Sequence, residues 1–322
     1  MIPAARWWLG VMTSLVLLAS AAHAADVPAP ASSARDADKV CTRCHDENDD
    51  KPILSIYQTR HGVKADPRTP GCQSCHGASD AHVRNPQGSS PRPLPEVVFA
   101  GHSQSPADER SGACLACHKT GLRMHWSGSE HQMRDVTCSN CHVAHKPRDP
   151  VLDKVAQPEV CEACHKTQRA QTHRISTHPI VAGEMTCSDC HNPHGSTGPK
   201  LLVKNSVNET CYTCHAEKRG PFLWEHGPVV DDCTNCHTPH GSTNAPLLKA
   251  RVPWLCQECH SGDHGAAINS GANLPGGNAT TVNGMQGRAN QSPRTQTNAR
   301  ACLNCHVLVH GSNHPAGAKF QR

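Results

Sequence analysis

The pentapeptide Cys-x-x-Cys-His occurs ten times in this 322-residue chain and contains all 20 of its cysteines. Numbered in chain order, motifs 1 to 10 begin at Cys41, Cys72, Cys114, Cys138, Cys161, Cys187, Cys211, Cys233, Cys256 and Cys302. The pentapeptide is the attachment site of c-type haem, in which the cysteines bond the porphyrin and the histidine binds the iron. Ten such sites in 322 residues indicate that the chain is mainly a carrier of haem.

Disulfide bonds and structural zinc are the two other uses of so many cysteines. Neither needs a histidine directly after each second cysteine. Histidine fills 25 of the 322 positions, so ten such histidines would arise by chance with a probability on the order of 10^-11. The sequence therefore predicts ten covalently attached haems, bonded by Cys41, Cys44, Cys72, Cys75, Cys114, Cys117, Cys138, Cys141, Cys161, Cys164, Cys187, Cys190, Cys211, Cys214, Cys233, Cys236, Cys256, Cys259, Cys302 and Cys305.

The histidine that closes each motif is the predicted proximal ligand of an iron. These ten residues are His45, His76, His118, His142, His165, His191, His215, His237, His260 and His306. Methionine is the usual competitor of histidine for the opposite axial position and raises the haem potential. Because Met124, Met133, Met185 and Met285 recur with no pattern, we expect histidine on both sides of every iron.

The remaining histidines repeat with the motifs. A single histidine follows each odd-numbered motif, the next motif comes after it, and another histidine lies three to six residues further on. The repeat defines five dihaem modules, the last one altered, and predicts eight distal ligands: His61, His82, His131, His145, His178, His194, His226 and His240. Two of His264, His310 and His314 are expected to complete the set, and the sequence does not separate these three.

Composition excludes an ordinary apolar core. Only 36% of the residues are hydrophobic and 3% are aromatic, against about 45–50% apolar residues in a typical globular domain. We expect the porphyrins to supply the missing apolar surface, so that folding depends on haem. The predicted fold class is a multihaem cytochrome c, elongated and mostly irregular, with short α-helices starting at or near each motif, little or no β-sheet and loops over 83–110 and 265–300.

The N-terminus has the pattern of a secretory signal peptide. Arg6 provides a positive charge, residues 7–21 are apolar, and Ala22-His23-Ala24 matches a cleavage site. The sequence predicts removal of residues 1–24 and export from the cytoplasm. A retained membrane anchor is the alternative, although the apolar run is short for a span of about 20 residues.

The formal net charge of +4 at pH 7 does not indicate a nucleic-acid partner. Ionised propionates would add roughly one negative charge for each oxidised haem. The basic residues also form no stretch interleaved with aromatic side chains.

The motifs favour an electron-transfer protein over an enzyme. A catalytic haem needs an exchangeable axial position, and the multihaem nitrite reductases typically attach that haem through a motif ending in lysine, which the chain lacks. Hydroxylamine-oxidising relatives of those enzymes use a tyrosine cross-link, and nothing distinguishes Tyr57 or Tyr212 for that role. We therefore predict no catalytic residues. A multihaem oxidoreductase, such as a nitrite-reductase-like enzyme, is the alternative.

Three stretches carry a resemblance to a known family: CSDCHNPHGS at 187–196, CYTCHAEKRGP followed by LWEHGPV within 211–230, and CLNCH followed by VHGSNHP within 302–315. Over essentially the whole mature sequence the chain resembles the MtrA/DmsE family of decahaem cytochromes. The resemblance implies a near-linear chain of ten haems, often described as two pentahaem halves. Here the N-terminal half would cover residues 25–170 and the C-terminal half residues 171–322.

The same resemblance implies a place in the cell and a set of partners. Family members lie in the periplasm, associated with or inserted in an outer-membrane β-barrel porin, and belong to electron conduits across the outer membrane. An extracellular multihaem cytochrome or reductase would be the outer partner, and a periplasmic cytochrome or a quinol dehydrogenase the inner one. The conduit serves extracellular metal or mineral reduction or iron oxidation. The sequence does not give the direction of electron flow, the terminal donor or acceptor, or the haem potentials.

Overall fold

The structure is a computed structural model, and it describes residues 34–46, 48, 53–63, 66, 68–85, 88, 90–101, 104–260 and 302–321. The predicted signal peptide over 1–24, His102, His264 and the predicted loop over 265–300 lie outside the described residues.

Short helices separated by irregular chain make up the described residues. Ten are α-helices: α1 Ala34–Thr42, α2 Cys72–His76, α3 Asp80–Arg84, α4 Ala107–Leu115, α5 Cys138–Cys141, α6 Gln157–Glu162, α7 Lys166–Thr172, α8 Val207–Cys211, α9 Gly227–Asp231 and α10 Trp254–Gln257. Eleven are 3-10 turns: Ile53–Gln58, Arg60–Gly62, Gly121–Arg123, Gln132–Arg134, Pro150–Leu152, Cys187–Asp189, Pro199–Leu201, Ala216–Lys218, Cys233–Asn235, Cys302–Asn304 and Gly317–Lys319. The loop predicted over 83–110 is shorter than expected, because α3 and α4 occupy its two ends.

Pairing between extended segments is limited, in the described part of the chain, to isolated bridges, such as those of Ser176 with Ser242 and of Trp224 with Ser312. The prediction of an elongated, mostly irregular multihaem fold with little or no sheet is confirmed. Among the described helices, none combines the length and the apolar character needed to cross a bilayer.

Odd-numbered and even-numbered motifs occupy opposite ends of their helices. The first cysteines of motifs 1, 3, 5, 7 and 9 lie in the last turns of α1, α4, α6, α8 and α10, whereas those of the even-numbered motifs each begin a helical turn. Helices were expected typically to start at or near each motif; those of motifs 1, 3, 5 and 7 instead begin four to seven residues before the first cysteine, while α10 begins two residues before Cys256.

Local sequence explains this alternation. Thr137 and Thr186 precede motifs 4 and 6 and form capping boxes, so the chain enters a helix at those motifs. Before motifs 3, 5 and 7, acidic residues in the first turn favour a helix that is already formed when the motif is reached.

The interior of the protein is polar. Trp126 and Leu248 are its buried hydrophobic residues among those described, at 6% and 8% exposure. More numerous are buried polar residues that hold the backbone, including Thr137, Thr186 and Ser312. The described chain therefore has no conventional side-chain core, in agreement with the composition.

A short His-Gly-Ser segment recurs after motifs 6, 8 and 10, at 194–196, 240–242 and 310–312. Its glycine has a positive φ in each copy, 108°, 143° and 131° in turn. A side chain on Gly241 would collide with the backbone oxygen of Gln171, and one on Gly195 with that of His125. Glycine is needed because the chain takes a conformation that L-residues avoid while packing directly on an upstream segment.

Candidate haem-binding sites

The first cysteines of neighbouring motifs interact in pairs. The thiols of Cys114 and Cys138 interact, which raises the pKa of Cys114 and lowers that of Cys138 to about 6. The other pairs are Cys41 with Cys72, Cys161 with Cys187, Cys211 with Cys233 and Cys256 with Cys302. These five pairs join motifs 1–2, 3–4, 5–6, 7–8 and 9–10, which are the predicted dihaem modules.

The second cysteines link one module to the next. Cys141 interacts with Cys164, and the same relation holds between Cys75 and Cys117, Cys190 and Cys214, and Cys236 and Cys259. Every motif is thus a neighbour of the motifs before and after it in sequence. The ten predicted attachment sites form one continuous series in chain order.

Nine motif histidines face a second imidazole ring at nearly constant separation. The ring centroids are between 6.0 and 6.3 Å apart in all nine pairs. The pairs are His45 with His82, His61 with His118, His76 with His145, His131 with His165, His142 with His194, His178 with His215, His191 with His240, His226 with His260, and His237 with His310. All eight histidines predicted from the repeat are in these pairs, together with His310.

This separation fits two imidazoles bound to one iron. A metal–imidazole bond of about 2 Å and a ring radius of about 1 Å place the two centroids about 6 Å apart. The angle between ring planes varies from 10° in His142/His194 to 83° in His61/His118, while the distance stays the same. Direct ring contacts vary in separation with orientation, whereas a shared central atom fixes the distance at any angle.

Hydrogen bonds fix the orientation of many of these rings. Nδ1 of His145 lies 2.7 Å from the carbonyl oxygen of Ile53, and Nδ1 of His178 lies 2.8 Å from that of Pro239. A carbonyl oxygen can only accept, so Nδ1 carries the proton and Nε2 keeps the free lone pair that a metal binds. Carbonyl oxygens also accept from Nδ1 of His76, His82, His131, His191, His226, His237 and His306.

Burial favours the neutral form of several of these imidazoles, which is the form that binds a metal. Desolvation is the largest cause that lowers the pKa of His194, to about 4, and nearby positive charge adds to the effect. Desolvation likewise lowers the pKa of His76, His118, His191, His237, His240 and His310.

The three histidines that the sequence left unseparated differ in the structure. His310 pairs with His237. Nδ1 of His314 accepts the backbone N–H of Ala316 at 3.1 Å, so its proton lies on Nε2, opposite to the arrangement a ligand needs. These contacts favour His310 over His314, and His264 lies outside the described residues.

Two family models match the chain. The doubled CXXCH motif matches residues 178–220 and 226–265, and the NrfB-like c-type cytochrome matches residues 72–155. The chain is also 44% identical over 286 residues to the multihaem cytochrome MtrA of Shewanella baltica (strain OS185), an alignment that covers 88% of this chain and 80% of the relative. The chain belongs to the MtrA family of multihaem c-type cytochromes. It therefore binds c-type haem covalently through its CXXCH motifs and is an electron-transfer protein.

In this MtrA-family chain the histidine pairs connect different dihaem modules. His145 follows motif 4 but faces His76 of motif 2, and His178 precedes motif 6 but faces His215 of motif 7. Apart from His45/His82, each pair joins two adjacent modules. The doubled-motif matches begin at 178 and 226 and so pair an even-numbered motif with the following odd one. The sequence pattern had grouped each odd-numbered motif with the next even-numbered one. Grouping each even-numbered motif with the following odd-numbered one instead places the pairs His178/His215 and His226/His260 each within a single unit.

Each His-Gly-Ser segment, together with the residue directly before it, contributes to two neighbouring sites. The carbonyl oxygen of Pro193 accepts from Nδ1 of His131, while His194, the next residue, faces His142. Because His131 faces His165, the two residues serve the sites of motifs 5 and 4. The arrangement repeats with Pro239 and His240 for motifs 7 and 6, and with Val309 and His310 for motifs 9 and 8.

Two buried donors near motif 4 also fit a haem. Nε1 of Trp126 and Nε of Arg123 are buried and have no hydrogen-bond partner among the residues that the structure describes. The Trp126 ring lies 6.4 Å from that of His194, and Arg123 acts electrostatically on both His118 and His194. A buried donor is costly unless an acceptor satisfies it. The carboxylate of a haem propionate at motif 3 or 4 could accept these hydrogen bonds, and its negative charge would complement the Arg123 guanidinium.

Proposed function

We propose that the chain holds ten bis-histidine haems and conducts electrons along them in the order of the motifs. The observation that carries this proposal is the continuous series of neighbouring attachment sites, nine of which already have two facing imidazoles. The predicted cysteines would bond the porphyrins, and the paired histidines would bind the irons.

The protein's part is positioning. When bound, each haem supplies a one-electron Fe(III)/Fe(II) couple, and the histidine pairs keep water and other ligands from both axial positions. Carbonyl oxygens on Nδ1 set the tautomer and the ring plane of each ligand. Because the thiols of successive motifs lie together, the attachment points of neighbouring haems are held close.

We propose that this series is one part of a conduit across the outer membrane. The predicted signal peptide would deliver the chain to the periplasm, where a porin would enclose it. Its low hydrophobic and aromatic content suits the polar lumen of a large barrel. A periplasmic cytochrome or quinol dehydrogenase at one end and an extracellular multihaem cytochrome or reductase at the other would exchange electrons with it. The conduit would serve extracellular metal reduction or iron oxidation.

The division into two pentahaem halves, 25–170 and 171–322, remains a proposal. The pair His142/His194 and the hydrogen bond from His131 to Pro193 cross the boundary. We therefore propose that the two halves divide the haems by their order in the sequence and are not independent structural units, because at least one haem would be held by residues of both.

A catalytic multihaem oxidoreductase is the competing function, and residues 72–155 match the model of an NrfB-like c-type cytochrome. That region includes motifs 2 to 4, whose histidines all face a second histidine. Two axial histidines leave no position on the iron for a substrate. The pairs therefore support electron conduction over catalysis at these three motifs.

Proteoliposomes test the conduit directly. Vesicles that contain the porin and the loaded cytochrome, with a reductant sealed inside, should reduce an impermeant external acceptor. Vesicles with the porin alone set the leak rate. Transfer no faster than that leak, despite full haem loading and complex formation, would reject the conduit.

A further inference from the structure

The proximal histidine of motif 4 has an unusual hydrogen-bond acceptor. Nδ1 of His142 lies 2.6 Å from Oδ2 of Asp149. Among the motif histidines whose Nδ1 hydrogen bond the structure describes, the others use backbone carbonyl oxygens: His76, His191, His237 and His306. Nδ1 of His215 lies 3.9 Å from the Glu217 carboxylate, which is beyond hydrogen-bonding distance.

The Asp149 carboxylate is held in place on both sides. Its Oδ1 accepts the backbone N–H groups of Val143 at 3.3 Å and Val151 at 3.4 Å. Asp149 is also the N-cap of the Pro150–Leu152 turn, and its side chain is 16% exposed. These contacts direct Oδ2 at the imidazole, and they make the carboxylate a fixed part of the site.

A carboxylate changes the character of an iron ligand more than a carbonyl does. A hydrogen bond to an ionised acceptor is roughly twice as strong as one between neutral groups, and it draws the Nδ1 proton away from the ring. The ring becomes more basic and donates more strongly through Nε2. Stronger donation and nearby negative charge both favour Fe(III) over Fe(II).

We propose that Asp149 lowers the reduction potential of the haem at motif 4 by giving His142 imidazolate character. Asp149 is then a positioning and tuning residue that makes one site electronically distinct within the series. The inference rests on the proposed function in one respect, since it requires His142 to be an axial ligand.

Asp149→Asn in the fully loaded protein is the test. Asparagine keeps the size of the side chain and is a good N-cap, but it replaces the carboxylate by a neutral acceptor. We expect about a tenfold shift of one haem toward the reduced state at a given potential, equivalent to about 59 mV for a one-electron couple. One low-spin ferric EPR signal should also change its g values as the ligand field weakens.

Asp232→Asn is the matched control. Asp232 is likewise an N-cap, directly before motif 8, and its Oδ1 accepts from the backbone N and Oγ1 of Thr234 at 2.6 Å. The control removes the same charge next to a haem motif without touching a histidine ring. The inference predicts no change of ligand field in this variant. Equal shifts in both variants, or none in Asp149→Asn, would overturn it.

The unsubstituted protein gives a second readout if Asp149→Asn loses haem. Its near-infrared magnetic circular dichroism should contain one charge-transfer band displaced to higher energy, as imidazolate ligation requires, and a uniform set of bands would overturn the inference. A wild-type protein without low-spin bis-histidine haems would instead refute the proposed function, so the two failures are distinguishable.

Discussion

The imidazole rings of His142 and His194 lie 6.1 Å apart with 10° between their planes, although one closes motif 4 and the other follows motif 6. A haem between them would be bonded to one module and ligated by the next. Pairs between adjacent modules recur along the chain, so each module receives an iron ligand from a neighbouring module or supplies one to it.

The pairing predicts which haem responds to a ligand substitution. In His194→Met, a thioether replaces the imidazole opposite His142, and we expect the potential of the motif 4 haem to rise by at least about 59 mV, a tenfold change in its reduction equilibrium. The haem of motif 6, nearer in sequence, should change little. Protein-film voltammetry and EPR measure the shift.

His173→Met is the control for that substitution, because Nδ1 of His173 bonds to the Arg169 carbonyl and its ring is in none of the nine pairs. A shift of similar size in this variant, or a shift confined to motif 6, would contradict the pairing.

The His-Gly-Ser segment predicts a coupled defect. In Gly241→Ala, a methyl group would collide with the Gln171 carbonyl at a φ of 143°, and we expect a loss of at least about 1–2 kcal/mol in stability. Since the segment serves motifs 6 and 7, the EPR signals of two haems should change together. Thermal unfolding followed by visible absorption measures the loss.

Gly112→Ala provides the comparison, since a methyl group there would meet no atom within 4 Å. Gly112 lies inside α4, where alanine is favoured over glycine by about 1 kcal/mol. This variant should be as stable as the parent or slightly more stable. Equal destabilisation of both variants would argue against the docking of the segment.

Trp126 provides a test of the propionate contact. Trp126→Phe removes the buried Nε1 donor and retains an aromatic ring. A propionate that has lost this hydrogen bond keeps more of its negative charge, which stabilises Fe(III) relative to Fe(II). We expect one haem potential to fall, measured by spectroelectrochemical titration. Trp254→Phe, at a site 64% exposed, should leave the potentials unchanged; a fall in both variants would show that the donor is not specific.

The polar interior predicts that the chain does not fold without haem. Circular dichroism of protein produced without the haem-attachment machinery should lack a cooperative thermal transition. Trp126 and Leu248 alone, as the buried hydrophobic residues of the described chain, give far too little apolar burial for a stable domain. A cooperative, folded apoprotein would show that a core exists without porphyrin.

Much of the architecture follows from sequence because the motif is local. The spacing Cys-x-x-Cys-His forms one helical turn, with the His142 N–H on the Cys138 carbonyl at 2.8 Å, so the cysteines and the histidine share a face. Recurrence also identified the histidines at 61, 82, 131, 145, 178, 194, 226 and 240 that face a motif histidine.

The partners of those histidines were not predictable from spacing. Two residues lie between His142 and His145, so the chain from one to the other reaches at most about 10 Å, which is too short to pass around a porphyrin edge. That constraint excludes His145 as the second ligand of motif 4. It does not select His76, whose approach depends on packing between modules. Likewise, Asp149 has the sequence pattern of an ordinary N-cap, and its contact with the His142 ring is visible only in three dimensions.

We propose that the chain holds ten haems, each with two histidine ligands. Pyridine haemochrome analysis combined with spin-quantified EPR of the oxidised protein tests it most directly. We predict ten haems per chain, all low-spin, with no change on adding cyanide or nitric oxide. A ferric haem that is high-spin and binds an added ligand would contradict the account and support a catalytic site.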